Sequence, residues 1–263
     1  LTYKNIIPYK TKLLIMIKAA GYGTGLVEIG KKLSKIGVDF LGVAYSDEGI
    51  ELRKNNISTP ILVMNVENKS IEDVIENKLT PAIYDLKQLN EFTNKLIGLQ
   101  IKHYPIHIKI NTGMNRMGIE INEIEELIEY VSAQPEIHIE GVFSHLAASD
   151  IKEGEEFTLN QIDQFKMASQ KIEKSLGKSV IKHILNTSGV ENYSKNSFDM
   201  VRVGIGIYGV SKNIKLENVA TLRTKISKIR TVCVNSQVGY GTTNITKRST
   251  KIGIIPIGYA DGF

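Results

Sequence analysis

The sequence predicts an α/β fold: a (β/α)8, TIM-like barrel followed by the start of a C-terminal all-β domain. Two observations point to the barrel. Short apolar runs rich in Ile and Val recur as far as residue 207, and amphipathic stretches separate them. Such runs suit strands buried on both faces of a parallel sheet. A third observation marks the second domain. After about Ser211 polar and apolar residues alternate, with no helical stretch between the runs.

The strand candidates lie at 13–17, 40–44, 60–64, 81–84, 106–110, 139–143, 182–185 and 203–207. Between the fifth and sixth, residues 121–133 read INEIEELIEYVSA, with apolar residues at 121, 124, 127, 128 and 131. That spacing is one face of a helix. Residues 157–176 behave the same way, and Thr158 with Gln161 three residues on fits a capping box. Eight strand–helix alternations predict a barrel ending near Gly209, with a doubly wound open sheet as the structural competitor. Residues 220–234, ATLRTKISKIRTVCV, alternate with period two, and a second run follows at 251–257. The expected division is therefore 1–211 for the barrel and 212–263 for an incomplete β domain.

Composition narrows the function classes. The 263 residues carry 33 Lys and Arg against 28 Asp and Glu, a net charge of +5 spread as Lys among Glu. A solvated surface is expected from this, with no nucleic-acid partner. The lone Cys233 excludes an internal disulfide and any multi-cysteine metal site. It fits a reducing, cytoplasmic compartment. No run approaches the ~18 apolar residues of a membrane span. The chain starts at Leu1 rather than Met and stops directly after an apolar run, which suggests a sequence cut at both ends.

Chemistry is concentrated where barrel strands end, the face on which such folds carry active sites. The first strand runs into Lys18, followed by Gly21, Gly23 and Gly25 in AAGYGTG. A poorly solvated lysine there serves as a Schiff-base nucleophile; a surface lysine closing a strand is the alternative. The fifth strand leads through Lys109 to Arg116, on a loop bracketed by glycines and suited to an anion or a phenolate. The sixth ends at His145, read as an acid, a base, a stacking partner or a core histidine. The seventh carries His183, then Asn186, Thr187 and Ser188, and the eighth begins at Arg202. Backbone N–H groups at Gly204 and Ile205 suit a phosphate, which barrels often hold after strands seven and eight. His103, His107 and His138 show no constellation and read as structural. These residues suggest a lysine Schiff-base enzyme with a phosphorylated cofactor, without naming the reaction.

The motifs are more specific together. Lys18 with Tyr22-Gly23, then NTGMNRMG, FSHLA, DMVRVGIGIYG, VGYGTT and IGYADG, occur in one order from Lys18 to Gly262. They resemble alanine racemase, the fold-type III enzyme dependent on pyridoxal 5'-phosphate. The resemblance implies that Lys18 carries the cofactor and is one base, and that Tyr259 is the other, supplied across a head-to-tail homodimer. Racemisation needs both, since a proton taken from one face must return on the other. It further implies that His145 orients the tyrosine, that Arg202 binds the pyridine nitrogen and that His183 supports Arg202. Tyr22, Asn186, Thr187, Gly204 and Ile205 would hold the cofactor, and Arg116 would touch its phenolic oxygen or the substrate carboxylate. Lys109 matches a position often carbamylated. No metal is implied.

Departures from the family pattern are Ala20 and Thr24 in place of Asn and His, Asn111 in place of Asp, and Thr187 in place of Ser. Residues 39–65 look most like the branch fused behind a UDP-N-acetylmuramoyl-tripeptide–D-alanyl-D-alanine ligase domain. Because the family's second domain extends beyond residue 263, the chain by itself is expected to be weakly active or inactive. The implied reaction is interconversion of L- and D-alanine, supplying D-alanine for peptidoglycan. A serine or broad-spectrum racemase is the alternative, as is a fold-type III amino-acid decarboxylase, though that class usually meets the pyridine nitrogen with a carboxylate.

Overall fold

The computed structural model describes residues 2–262. Its strands are β1 (Lys12–Met16), β2 (Phe40–Val43), β3 (Ile61–Val63), β4 (Thr80–Ile83), β5 (Tyr104–Lys109), β6 (Ile137–Phe143), β7 (Ile181–His183) and β8 (Met200–Val203), followed by β9 (Lys228–Val232) and β10 (Thr250–Ile254). The first eight form one sheet in the order β7-β6-β5-β4-β3-β2-β1-β8, parallel at every pairing. Two backbone bonds close the ring between β7 and β8: Asp199 N–H to the Lys182 carbonyl at 3.1 Å and Arg202 N–H to the Leu185 carbonyl at 3.0 Å. The expected barrel, with helices between its strands, is the observed fold. β9 and β10 pair antiparallel as a separate two-stranded sheet. Packing divides the chain into two compact units, one up to Glu217 and one from Asn218.

Strand alternation sorts the barrel side chains into two layers. On β5, Ile106 and Ile108 join the large outer core against the helices. The inner cluster is Leu14, Phe40, Leu62, Ala82, Phe143 and Met200. His107, Lys109, His183 and Arg202 are also buried. They lie on β5, β7 and β8, whereas β1 to β4 give the inner cluster Leu14, Phe40, Leu62 and Ala82. The buried lysine, arginine and histidines of the interior thus lie on β5, β7 and β8, beside Phe143 and Met200 of the same inner layer. Helices start where side chains satisfy their free N–H groups. Asp85 accepts from Gln88 N–H at 2.6 Å ahead of Leu86–Gly98, and Asn186 accepts from Gly189 N–H at 2.9 Å ahead of Thr187–Tyr193. Among the described residues no helix is long and apolar enough to cross a membrane, and no group of three His, Cys, Asp or Glu could hold a metal.

Four details differ from expectation. The eighth strand lies at Met200–Val203, so Arg202 sits inside it, and the chain leaves the sheet at Gly204 to form a 3-10 turn, Ile205–Tyr208. The long helix begins at Glu155, so Thr158 is an interior helical residue whose Oγ1 is buried without a partner. Acidic Glu155 and Glu156 occupy the first turn, where the helix dipole favours them. Gln161, no longer a capping residue, reaches His145 O and Ala147 N–H instead. Residues 220–227 form no strand despite their alternation: β10 ends at Ile254 opposite Lys228, leaving one further bond, Ser227 N–H to Ile254 O, and no partner strand beyond it.

Candidate active site

A cavity of about 660 Å³ opens at the C-terminal ends of the barrel strands. Lys18, Tyr22, Lys109, Arg116, His145 and Arg202 line it, with Asn186, Thr187, Gly204 and Ile205. Every barrel residue given a catalytic, cofactor or substrate role from the sequence lines this space, as does Lys109, whereas His183 bonds to Arg202 without lining it. Tyr259 stands on the second unit, in the turn Tyr259–Asp261, and is 90% exposed.

Lys18 leaves β1 through Ile17 and opens a turn that winds the wrong way for L-residues. Ala19, Ala20, Gly21 and Tyr22 have φ of 53°, 53°, 65° and 56°. Left-handed winding costs roughly 1–2 kcal/mol per non-glycine residue. Bonds from the surroundings hold it: Gly21 N–H to Ile17 O at 2.9 Å, Gly25 N–H to Ala20 O at 3.0 Å, and both the Thr24 and Tyr208 hydroxyls onto Gly21 O at 2.6 and 2.7 Å. Thr24 therefore has a local structural task. Strain of this kind collects where a side chain must be aimed. Lys18 is exposed and lines the cavity, where the sequence had left open a poorly solvated lysine or a surface one.

Arg202 is 4% exposed and donates to five acceptors: His183 Nδ1 at 2.8 Å, His183 O at 3.1 Å, Ser144 O at 2.6 Å, His145 Nδ1 at 3.2 Å and Ile184 O at 3.1 Å. All five bonds come from its two terminal nitrogens. Arg202 lines the cavity, and its Nε has no acceptor among the described residues. Burial pushes its pKa down to about 9, so it stays cationic at neutral pH. Its guanidinium lies 5.2 Å over the Phe143 ring, which stacks on His183 at 4.9 Å.

Because arginine only donates, His145 Nδ1 must accept, and the His145 proton sits on Nε2. Burial and then the charge of Arg202 lower the His145 pKa to about 3, so the ring is a neutral donor. Lys109 is 8% exposed and lies near Arg116 and Arg202; burial, then those two cations, lower its pKa to about 8.

Thr187 Oγ1 accepts from Gly204 N–H at 3.0 Å, so that N–H, expected to face a phosphate, is already engaged. The Thr187 hydroxyl proton is left to donate outward. Ile205 N–H opens a 3-10 turn and has no acceptor within it. Asn186, expected to hold cofactor, lines the cavity but spends its Oδ1 on Gly189 N–H, Ser149 and Ser188. Its Nδ2 donates to Leu146 O at 3.4 Å.

The Arg116 loop is organised by Asn111, whose Oδ1 accepts from Gly113 and Asn115 N–H and whose Nδ2 donates to Asn115 and Glu120. An aspartate could not make those last two bonds. Gly118, with φ of 137°, passes so close that a Cβ would lie 2.5 Å from Asn111 N.

Sequence reasoning missed His107, set aside as structural. It lies two residues before Lys109 on β5, and a period of two placed it on the same inner face. Its Nδ1 is 2.9 Å from His183 Nε2. Phe143, Ser144 and Gln161 were also missed, and no local signal marks them.

Residues 2–212 match the alanine racemase N-terminal domain and residues 219–263 the alanine racemase C-terminal domain. The chain is 37% identical over 253 residues to alanine racemase of Thermodesulfovibrio yellowstonii, covering 96% of this chain and 67% of the relative. It is 35% identical over 267 residues to alanine racemase 2 of Caldanaerobacter subterraneus subsp. tengcongensis, covering 98% and 68%. Among solved structures, alanine racemase of Clostridium difficile 630 superposes with a TM-score of 0.89 at 34% identity, covering 99% of this chain and 70% of that one. On its sequence, its barrel and the side chains gathered at the barrel mouth, this chain belongs to the alanine racemase family.

Proposed function

We propose that the barrel mouth holds pyridoxal 5'-phosphate, the family's cofactor, and that Lys18 and Tyr259 are the two bases that interconvert L- and D-alanine. The observation that carries this reading is Arg202: a buried cation whose terminal nitrogens are all committed to protein acceptors, leaving Nε for a ring nitrogen. The donor set fits the cofactor. Lys18 offers an amine for its aldehyde. Thr187 Oγ1, Ile205 N–H and Tyr22 would hold its phosphate. Arg202 would meet the ring nitrogen, and Asn186 shapes the wall through the helix it caps. When bound, the cofactor takes up the electron density released when the substrate Cα loses its proton. A donor that keeps its own proton leaves the ring nitrogen unprotonated, which restrains side reactions such as transamination. It also disfavours the decarboxylase reading, in which a carboxylate is expected at that place.

The remaining steps belong to the protein. Lys18 Nζ takes or returns the proton on one face of Cα, and the Tyr259 phenol does so on the other. His145 Nε2–H, neutral throughout the working range, orients the tyrosine. Arg116, at the exposed rim, receives the substrate carboxylate. Lys109 is proposed to be carbamylated: its ammonium loses a proton to solvent, which the lowered pKa eases, the amine attacks carbon dioxide so that an N–C bond forms as one C–O π bond opens, and a second proton leaves to solvent. The product exchanges a cation for an anion beside Arg116. His183 supports Arg202 from behind.

In this reading residues 1–211 are the cofactor barrel and 212–263 begin the β domain. Tyr259 acts in the site of a second copy in a head-to-tail homodimer. D-alanine for peptidoglycan, a cytoplasmic setting and an upstream fused ligase domain are further parts of the proposal, resting on the resemblance and, for the setting, on the single cysteine. Borohydride reduction of the protein loaded with pyridoxal 5'-phosphate, followed by peptide mapping, tests the site. The label is expected on Lys18 and absent from Lys109 and Lys212, the cavity's other lysines. Label on Lys109, or none at all, contradicts the assignment.

A further inference from the structure

The bond from Arg202 to His183 continues across the barrel. His183 Nε2 lies 2.9 Å from His107 Nδ1, and His107 Nε2 lies 3.3 Å from Glu140 Oε2. The chain has an obligate donor at one end and, with Glu140 ionised, an obligate acceptor at the other. One arrangement of neutral rings satisfies every bond. His183 accepts at Nδ1 and donates from Nε2; His107 accepts at Nδ1 and donates to the carboxylate from Nε2. Both imidazoles are fully buried, and burial holds each below its ordinary pKa, so neutral rings are the stable form.

The backbone is shaped to make this contact. In the parallel pairing of β5 and β6, Ile106 stands opposite Ile139 but His107 stands opposite Gly141, so Glu140 is an extra residue in the ladder. Bulges re-aim a side chain and are rare between parallel strands. Simple alternation from Ile139, an outer-core residue, and Phe143, an inner one, cannot be met without such a slip. The slip leaves the Glu140 carboxylate in reach of His107 inside the barrel. Gly141 makes room for the ring: a Cβ there would lie 2.5 Å from the His107 imidazole. Glu140 also lines a second cavity, with Lys10, Lys12 and Asp199, and keeps partial contact with solvent.

Arg202 itself touches only neutral acceptors. A buried cation without a counter-charge is costly, and partners that do not touch the ligand fix the orientation of those that do. We infer that Glu140, acting through His107 and His183, is the remote counter-charge and positioning residue of Arg202. It thereby sets how Arg202 presents Nε to the cofactor's ring nitrogen. This rests on the reading of the barrel mouth as a cofactor site. Glu140 and His107 touch neither substrate nor cofactor and are positioning residues.

Two measurements separate the inference from that reading. The first is 15N NMR of the histidine rings in the cofactor-free protein. His183 and His107 are expected to be neutral, each protonated on Nε2. A different tautomer at either ring overturns the relay, whatever the protein binds. The second compares native protein with Glu140→Gln, which removes the charge at constant shape, and with Gly141→Ala, which displaces the His107 ring and keeps every polar group. Both variants should bind pyridoxal 5'-phosphate about tenfold more weakly, the scale of supporting-residue effects. They should also raise the ratio of transamination to racemisation, which a loss of stability alone does not move. Native affinity and native ratio in folded Glu140→Gln would overturn the inference while leaving the cofactor site intact. Failure of native protein to bind the cofactor would instead sink the parent reading, and this inference with it.

Discussion

At the scale of single residues, Lys109 carries the sharpest electrostatic consequence. Its folded pKa, about 8, lies below the ordinary lysine value of 10.5, because burial and two neighbouring arginines disfavour its charge. The unfolded chain therefore binds more protons between those values, and stability rises with pH across that window. The penalty is fully present below about pH 8 and fades toward 10.5, with a ceiling of about 3 kcal/mol at ~1.4 kcal/mol per pKa unit. In buffer free of carbon dioxide, Lys109→Met should be more stable than native protein at neutral pH, and urea titrations should show the gap closing as pH rises. Adding 13C-bicarbonate should produce a carbamate signal that the variant lacks. A pH-independent gap would contradict the account. The residues of this site were legible in unequal measure. Lys18, His145 and Arg202 stand at or near strand ends, where chain order betrays them. Glu140 could not be read, since a bulge shifts the alternation without leaving a mark in composition.

Among the elements, the turn after β1 is the unusual one. Gly21 and Gly23 announced a tight turn, but the left-handed φ of Ala19, Ala20 and Tyr22 could not be inferred, because alanine's own preference is for the right-handed helix. The surrounding bonds override it. This inverts the ordinary order of substitution. In a right-handed helix Ala→Gly costs about 1 kcal/mol; here Ala20→Gly relieves strain and should leave stability unchanged or higher. Ala20→Val, β-branched at positive φ, should cost about 2 kcal/mol. Urea denaturation orders the three proteins, and a glycine variant about 1 kcal/mol less stable than native would contradict the left-handed geometry. The strands were nearly all legible to within a few residues, since their Ile- and Val-rich runs are buried on both faces. The eighth was misplaced towards its C-terminal end because Ile205 and Ile207 continue the apolar run after the chain has left the sheet at Gly204. Residues 220–227 show the converse, a strand pattern with no strand opposite to pair with.

For the whole molecule, the barrel has its own core, with the buried side chains His107, Lys109, His183 and Arg202 gathered on β5, β7 and β8. The second unit is a two-stranded sheet whose β9 residues are almost all exposed, and hairpins of that kind are marginal by themselves. The change from helical spacing to period-two alternation after Ser211 suggested a boundary at 211/212, whereas packing separates the units between Glu217 and Asn218. In the proposed mechanism the second unit contributes a single exposed side chain, Tyr259. The most direct test is therefore to give a Tyr259→Phe variant of the active enzyme L-alanine and, separately, D-alanine in D2O, following optical rotation and deuterium at Cα. With Lys18 as the remaining base, deuterium should enter one enantiomer with retained configuration, and racemisation should fall by at least about a hundredfold. Racemisation at the native rate would show that Tyr259 is not the second base and would contradict the two-base account.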